Sequence, residues 1–192
     1  MKYLIASDIH GSAYYCQKML TRFKEEQADR LLLLGDLLYH GPRNELPEGY
    51  APKAVIDLLN AHKDVILCVR GNCEAEVDQM VLDFPVMAEY CILSEGKQLI
   101  MATHGHIHNL ENPPKLQKGD ILLHGHTHVP ANIATETFRY LNPGSVSIPK
   151  EGSVHSYMTL ENGCFLWKDL DGKTYMEWTC KSTAKLKPLI RI

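Results

Sequence analysis

The sequence predicts an α/β domain of two packed β-sheets, one half parallel and the other antiparallel, and three observations carry that prediction. Short apolar runs alternate with helical segments over the first seventy residues, in the order β-α-β-α-β, which is how a parallel sheet with helices packed on it is written. Leu31 to Leu34 is an unbroken run of leucine, as expected of a strand covered on both faces. The second half turns Thr/Tyr/Val-rich with Asn162-Gly163 and Asp171-Gly172 turns, the pattern of an antiparallel meander.

The elements follow in order. Tyr3 to Ala6 reads as a buried strand, and Ser12 caps an amphipathic helix reaching to about Gln27. After the leucine strand a Gly/Pro-rich loop runs from Leu37 to Ala51 and leads into a helix with Val55, Ile56, Leu58 and Leu59 on its apolar face. Val65 to Val69 is a third buried strand. Glu89 to Ser94 and Gln98 to Thr103 flank a short hairpin loop at Glu95-Gly96-Lys97, and Ile121 to His124 is a further strand. From Asn132 onward the meander is expected. The apolar stretches near Cys164 to Trp167 and Tyr175 to Trp178 suit sheet core or an oligomer surface.

With 192 residues and no internal repeat or low-complexity linker, the chain reads as one domain over 1–192. A net charge of −3 argues against a broad nucleic-acid-binding surface. No apolar run is long enough to cross a membrane, and the N-terminal apolar stretch is too short for a secretory signal. The six scattered cysteines, with no CxxC pair, therefore read as reduced thiols of a cytoplasmic protein.

The chemistry sits at strand ends. Asp8-x-His10 follows the first strand, Gly35-Asp36 the second and Gly71-Asn72 the third; His104 ends the strand before it, and Gly125-His126-Thr127-His128 ends the strand at Ile121 to His124. Ligand sites of open α/β sheets lie at the carboxyl ends of strands. Each signal alone is ordinary: a cap, a turn or a His-rich tract. Five strand ends each delivering carboxylate, amide or imidazole predict a shared metal site, and that donor set suits borderline cations such as Mn, Fe or Zn.

These blocks, D-x-H, G-D, G-N-x-E, H and G-H-x-H, running from Asp8 to His128, resemble the calcineurin-like metallophosphoesterase superfamily. The loop from Gly41 to Tyr50 and the short chain are similar to its small bacterial phosphodiesterases of the YfcE type. The resemblance implies two packed mixed β-sheets flanked by helices, an αββα sandwich. It implies two divalent metal ions, Mn²⁺ for preference with Zn²⁺ or Fe²⁺ as alternatives. Asp8, His10 and His128 would hold one, Asn72, His104 and His126 the other, and Asp36 would bridge them. Cations about 3.5–4 Å apart can then activate a bridging hydroxide for in-line attack on phosphorus. His106, His108 and His124 would stand behind or beside the ligands, with His106 also a candidate to touch substrate.

Two departures from the wider superfamily bear on function. The histidine of the common G-N-H-[DE] block, a proposed proton donor, is Cys73 here, a weak hydrogen-bond donor or simply a small packed residue. The arginine of the phosphoprotein phosphatases falls on His40, and an imidazole suits the lower charge of a diester better than an arginine fork suits it. The long loop that starts at Asp36 is the expected substrate wall, with Arg43, Asn44 and Tyr50 as contacts. The expected activity is a metal-dependent phosphodiesterase acting on a small phosphodiester, with a nucleotide or dinucleoside polyphosphate hydrolase, or a phosphomonoesterase, as the runner-up. Homo-oligomerisation is left open. The competing class is a protein-interaction scaffold, because the retromer component that shares this fold works as one.

Overall fold

A computed structural model describes residues 1–180; the last part of the expected single domain, 181–192, lies outside the described residues. Strand β1 (Tyr3–Ala6), helix α1 (Ala13–Glu25), β2 (Arg30–Leu33), α2 (Pro52–Asn60) and β3 (Ile66–Cys68) form the expected β-α-β-α-β unit, with β1, β2 and β3 parallel. Ser12 caps α1 as predicted: its Oγ accepts from the Tyr15 N–H at 3.2 Å and donates to the Glu48 carbonyl at 2.6 Å. One hydroxyl thus starts the helix and ties down the long loop. Pro52 occupies the first turn of α2, where its missing N–H costs nothing.

The short helix α3 (Glu76–Val81) is followed by β4 (Tyr90–Glu95), β5 (Gln98–Thr103), β6 (Ile121–Leu123), β7 (Ala131–Ala134), β8 (Arg139–Asn142), β9 (Ser156–Glu161), β10 (Cys164–Asp169) and β11 (Thr174–Thr179). They arrange in two sheets, β11-β10-β9-β1-β2-β3 and β4-β5-β6-β8-β7. The fold class is the predicted pair of mixed sheets with helices. The division into a parallel half and an antiparallel half is corrected. The antiparallel strands β9 to β11 extend the parallel β1–β3 sheet, and β5, β6 and β8 are parallel to one another inside the other sheet. The meander from Asn132 is likewise broken, because the chain leaves the second sheet after Asn142 and re-enters the first at Ser156. Turn residues specify hairpins locally, whereas the sheet a hairpin joins is decided by which edge can bury it. The Ser156–Leu160 stretch of β9 is fully buried against β1.

Alternation along each strand separates two cores. Ile5, Leu32, Ile100, Leu123, Leu141, Phe165 and Trp167 fill the space between the sheets. Leu4, Ala6, Leu31 and Leu33 point the other way, onto Cys16, Met19 and Leu20 of α1 and Val55 and Leu59 of α2. The leucine strand is 0% exposed from Leu31 to Leu34, as a strand covered on both faces must be. Phe165 and Trp167 therefore belong to the sheet core. The outer face of the second sheet is met by a smaller cluster around Leu122, Phe138 and Tyr140, with Leu116 from the irregular segment between β5 and β6.

Glu26, just past α1, joins helix to sheet. Its carboxylate accepts from Lys2 Nζ at 2.8 Å, Lys168 Nζ at 2.5 Å and the Tyr157 hydroxyl at 2.9 Å. Burial alone would raise its pKa, but these three donors outweigh it and hold the carboxyl down at about 2. A carboxyl whose folded pKa is depressed adds stability above its unfolded pKa and loses it as pH falls through the folded one. Glu26→Gln should cost about 1–2 kcal/mol at neutral pH. In denaturant melts the gap to wild type should shrink as pH falls below about 4.5 and close near pH 2. A gap independent of pH would show that the carboxylate charge is not what matters.

Candidate metal centre

Five strand ends converge on one cleft. The turn after β1 brings Asp8 and His10, the turn after β2 brings Asp36, and the segment after β3 brings Asn72 and Cys73; His104 follows β5, and His126 and His128 follow β6. Asp8, His10, Asp36, His104 and His128 are buried. Ionisable groups do not stay buried without partners, and here their partners are one another.

Three of the imidazoles are oriented by backbone carbonyls, which can only accept. His10 Nδ1 donates to Tyr39 O at 2.7 Å, His104 Nδ1 to Leu34 O at 2.6 Å and His128 Nδ1 to Ile148 O at 2.5 Å. Each neutral ring is thereby left with a bare Nε2 lone pair aimed into the cleft. Yet the Nε2 atoms of His10 and His128 face each other at 3.3 Å. Asp8 Oδ1, buried and without a hydrogen-bond partner, stands 3.4 Å from one and 3.6 Å from the other. Three acceptors turned on one point repel unless a cation lies between them.

The second cluster repeats the arrangement. His104 Nε2 lies 3.0 Å from Asn72 Oδ1, 3.1 Å from His126 Nδ1 and 3.4 Å from Asp36 Oδ2. Asp36 is common to both clusters. Its Oδ1 accepts from the Cys73 N–H at 2.9 Å, which leaves Oδ2 at 3.4 Å from His104 and 3.7 Å from His10. The donor set therefore fits two cations sharing one carboxylate, and all seven predicted ligands are brought together.

Charge follows the same geometry. Burial would raise the Asp8 carboxyl, but the neighbouring His10 imidazole and the fields of His104 and His128 hold it well below the usual range. Burial would lower His104, but Asp36 and Asp8 push it up to about 9. His126, without a close carboxylate hydrogen bond, is left at about 4 by burial and by the charge on His104. The carboxylates that raise His104 are the ones a cation at this point would compensate, as expected of a site that draws positive charge.

Backbone strain marks the same residues. Asp8, His10, Asp36, His126 and His128 all have positive φ, between 48° and 66°. Non-glycine residues in this region cost about 1–3 kcal/mol each and persist where the surroundings over-determine them. The glycines between them allow close approach: a Cβ on Gly71 would lie 2.2 Å from Asp36 Oδ1, and one on Gly125 would lie 1.9 Å from Ser7 Oγ.

Residues outside the predicted set hold these turns. Glu74 is buried and accepts from the backbone N–H groups of Asp36 at 2.8 Å, Leu37 at 2.7 Å and Gly71 at 2.6 Å, clamping the ends of β2 and β3 together. Ser145 and Ser147 donate to the Asp8 carbonyl, and Asn142 donates to the Gly125 carbonyl and Thr127 Oγ1. The segment after β8 thereby braces both ligand turns. Its signal in the sequence is the turn tetrapeptide Asn142-Pro143-Gly144-Ser145.

The two clusters floor a cleft of about 460 Å³, walled by Pro42, Arg43 and Asn44 of the long loop, by Cys73 and Thr127, and by Lys150. Arg43, a predicted substrate contact, is in this wall, and Lys150 was not foreseen. His40 is placed elsewhere, edge-on to the rings of Tyr39 and Tyr50 with its carbonyl accepting from Asn44. His106 stands beside His104 and lines a smaller recess with Arg70, Asn72 and Glu89. Cys73 reaches the cleft, but burial and the nearby Asp36 push its thiol pKa far up, so it is neutral.

The calcineurin-like phosphoesterase superfamily domain matches residues 1–163. The Escherichia coli (strain K12) protein named phosphodiesterase YfcE is 48% identical over 162 residues, covering 84% of this chain and 88% of that one. The probable metallophosphoesterase YsnB of Bacillus subtilis (strain 168) is 26% identical over 174 residues, 84% of this chain and 86% of that one. The solved structure of the E. coli YfcE phosphoesterase superposes with a TM-score of 0.90 at 44% identity, covering 94% of this chain and all of the other. A Vps29 mutant from Entamoeba histolytica, at 21% identity and TM-score 0.61 over 93% of this chain and 100% of that one, shares the fold alone.

Proposed function

The chain belongs to the calcineurin-like phosphoesterase superfamily, and on that premise we propose that Asp8, His10, Asp36, Asn72, His104, His126 and His128 hold two divalent cations at which a phosphodiester is hydrolysed. The chain is a metal-dependent phosphodiesterase, a hydrolase of phosphate diesters. The observation that carries the ligand assignment is the meeting of His10 Nε2, His128 Nε2 and the unpartnered Asp8 Oδ1 around one point, with Asp36 Oδ2 shared with the second cluster.

Bound there, the cations supply a Lewis acid and an activated water at neutral pH. The rest of the work falls to the chain. Tyr39, Leu34 and Ile148 carbonyls fix three ring orientations, so little reorganisation accompanies binding. Glu74 and the Cys73 N–H hold Asp36 at the centre of the site. Arg43, with Pro42 and Asn44 on either side of it, walls one side of the cleft. Mn²⁺ suits the mixed oxygen and nitrogen donors, with Zn²⁺ or Fe²⁺ as alternatives. The cytoplasm suits a chain with six free cysteines in which no helix among the described residues is long and apolar enough to cross a membrane.

The test is hydrolysis of a chromogenic phosphodiester by chelator-stripped protein. Activity should vanish on stripping and return with Mn²⁺. Inactivity with Mn²⁺, Zn²⁺ and Fe²⁺ alike would transfer the weight to a protein-interaction role for the same fold.

A further inference from the structure

The cleft carries more positive charge than the reaction needs. Two divalent cations with two carboxylates and an activated water nearly balance a single diester anion at the floor of the site. Arg43 and Lys150 stand in the wall in addition. Among the described residues neither has a carboxylate oxygen within 4.0 Å, whereas Lys2, Lys18, Arg22, Lys63 and Lys168 all do. Asp36 is the one carboxylate in the lining, and it lies at the floor among the ligands.

Lys150 is also placed by the fold. Its N–H donates to the His128 carbonyl at 3.3 Å, and its own carbonyl accepts from the Ser153 N–H at 3.0 Å and the Ser153 hydroxyl at 2.7 Å. The tight turn between them runs through Glu151 and Gly152, both at positive φ. The strap that orients His128 through Ile148 therefore also sets the Lys150 backbone at the edge of the cleft. Arg43 arrives from a different segment, the loop leaving Asp36. Two unpaired cations from separate segments face one cavity, which is the arrangement that receives an anion.

Resting on the assignment of this cleft as the diesterase site, we propose that Lys150 and Arg43 are specificity-determining residues that bind a second phosphate carried by the substrate on the group retained at the scissile phosphorus. The preferred substrates are then phosphodiesters of phosphorylated alcohols, nucleotides bearing a further phosphate among them, rather than diesters with one charge. Lysine supplies a point charge and arginine a fork, and charge-assisted hydrogen bonds of this kind are worth about a factor of ten in affinity each.

The experiment compares two substrates with one leaving group, the p-nitrophenyl ester of thymidine 5′-phosphate with and without a 3′-phosphate, on the Mn²⁺-loaded full chain. Wild type should favour the 3′-phosphorylated ester by about tenfold or more in kcat/KM, chiefly through KM and less at high salt. Lys150→Gln and Arg43→Gln should each remove most of that preference, and Lys150→Arg should keep it. Titration calorimetry with thymidine 3′,5′-bisphosphate gives a readout independent of turnover, with binding about tenfold weaker in Lys150→Gln. Equal use of both esters by an active wild type would overturn the inference while leaving the diesterase reading intact. Hydrolysis of neither ester would defeat that reading itself, and bisphosphate binding indifferent to Lys150 would then overturn the inference as well.

Discussion

Asp36→Asn is expected to lower metal-dependent diester hydrolysis by more than ~100-fold, since replacing a group that merely supports a ligand already costs about 10–100-fold. Asp36 is shared by both clusters: Oδ1 is occupied by the Cys73 N–H and Oδ2 lies within 3.7 Å of imidazole nitrogens on either side. An asparagine that keeps the Cys73 bond through its oxygen must turn its NH₂ into the centre, presenting hydrogens where both cations require a lone pair. The same variant should lose most of the thermal stabilisation that metal gives, which for wild type is about 2.7 kcal/mol at a hundredfold excess over Kd. Circular dichroism of the stripped variant separates this from misfolding. A stripped variant that is folded, binds metal normally and keeps wild-type turnover would remove Asp36 from the bridging position.

The cluster of metal-capable side chains was legible because the chemistry is local to strand ends. A strand end followed by glycine and a metal-capable side chain is visible within three or four residues, and five such ends in order left little room for coincidence. The positive φ of Asp8, His10, Asp36, His126 and His128 explains the residue types: aspartate and histidine tolerate this conformation better than most side chains. Other features needed three dimensions. Glu74 ends the block Gly71-Asn72-Cys73-Glu74, but its role as a clamp on three backbone N–H groups depends on how closely the ends of β2 and β3 approach. Lys150 is separated from His128 by a hairpin and a crossing segment, so no spacing rule reaches it. His40 aligns with a motif arginine by spacing alone, and spacing does not show that its ring packs between Tyr39 and Tyr50. The sheets show the same division between local and distant information. The β-α-β order and the hairpin turns were written locally, whereas the joining of β9 to the free edge of β1 was set by burial.

Strain and electrostatics together account for how such a site persists. Five left-handed residues and a group of buried carboxylates and imidazoles each oppose folding. Offsetting them are the buried sheets on either side and the clamps from Glu74, Asn142, Ser145 and Ser147, the last three from a segment that brings none of the clustered side chains. Lone pairs that the carbonyls of Tyr39, Leu34 and Ile148 keep turned toward one another are relieved by a cation placed between them.

Cys73→His is expected to raise hydrolysis of diesters with poor leaving groups by about 100-fold, the lower range for a positioned proton donor. Cys73 lines the cleft beside Asn72, whose Nδ2 lies 3.3 Å from its sulfur. Its thiol is kept neutral by burial and by Asp36 and donates weakly, so wild type has little to offer an alkoxide as it departs. A nitrophenolate leaves without a proton, so the gain on nitrophenyl esters should be small by comparison. Gly41 stands opposite, its nearest approach to the sulfur through an added Cβ being 3.7 Å, and the cleft gives an imidazole room without moving the loop. Activity on alkyl diesters should also acquire a limb that falls as pH rises past the new imidazole's pKa, because only the protonated ring can give a proton. Cys73→Ser should retain the wild-type dependence on leaving group. If Cys73→His changes alkyl and nitrophenyl esters alike, or shows no new pH limb while its metal-induced thermal shift is normal, position 73 is a packing position and the proton comes from elsewhere.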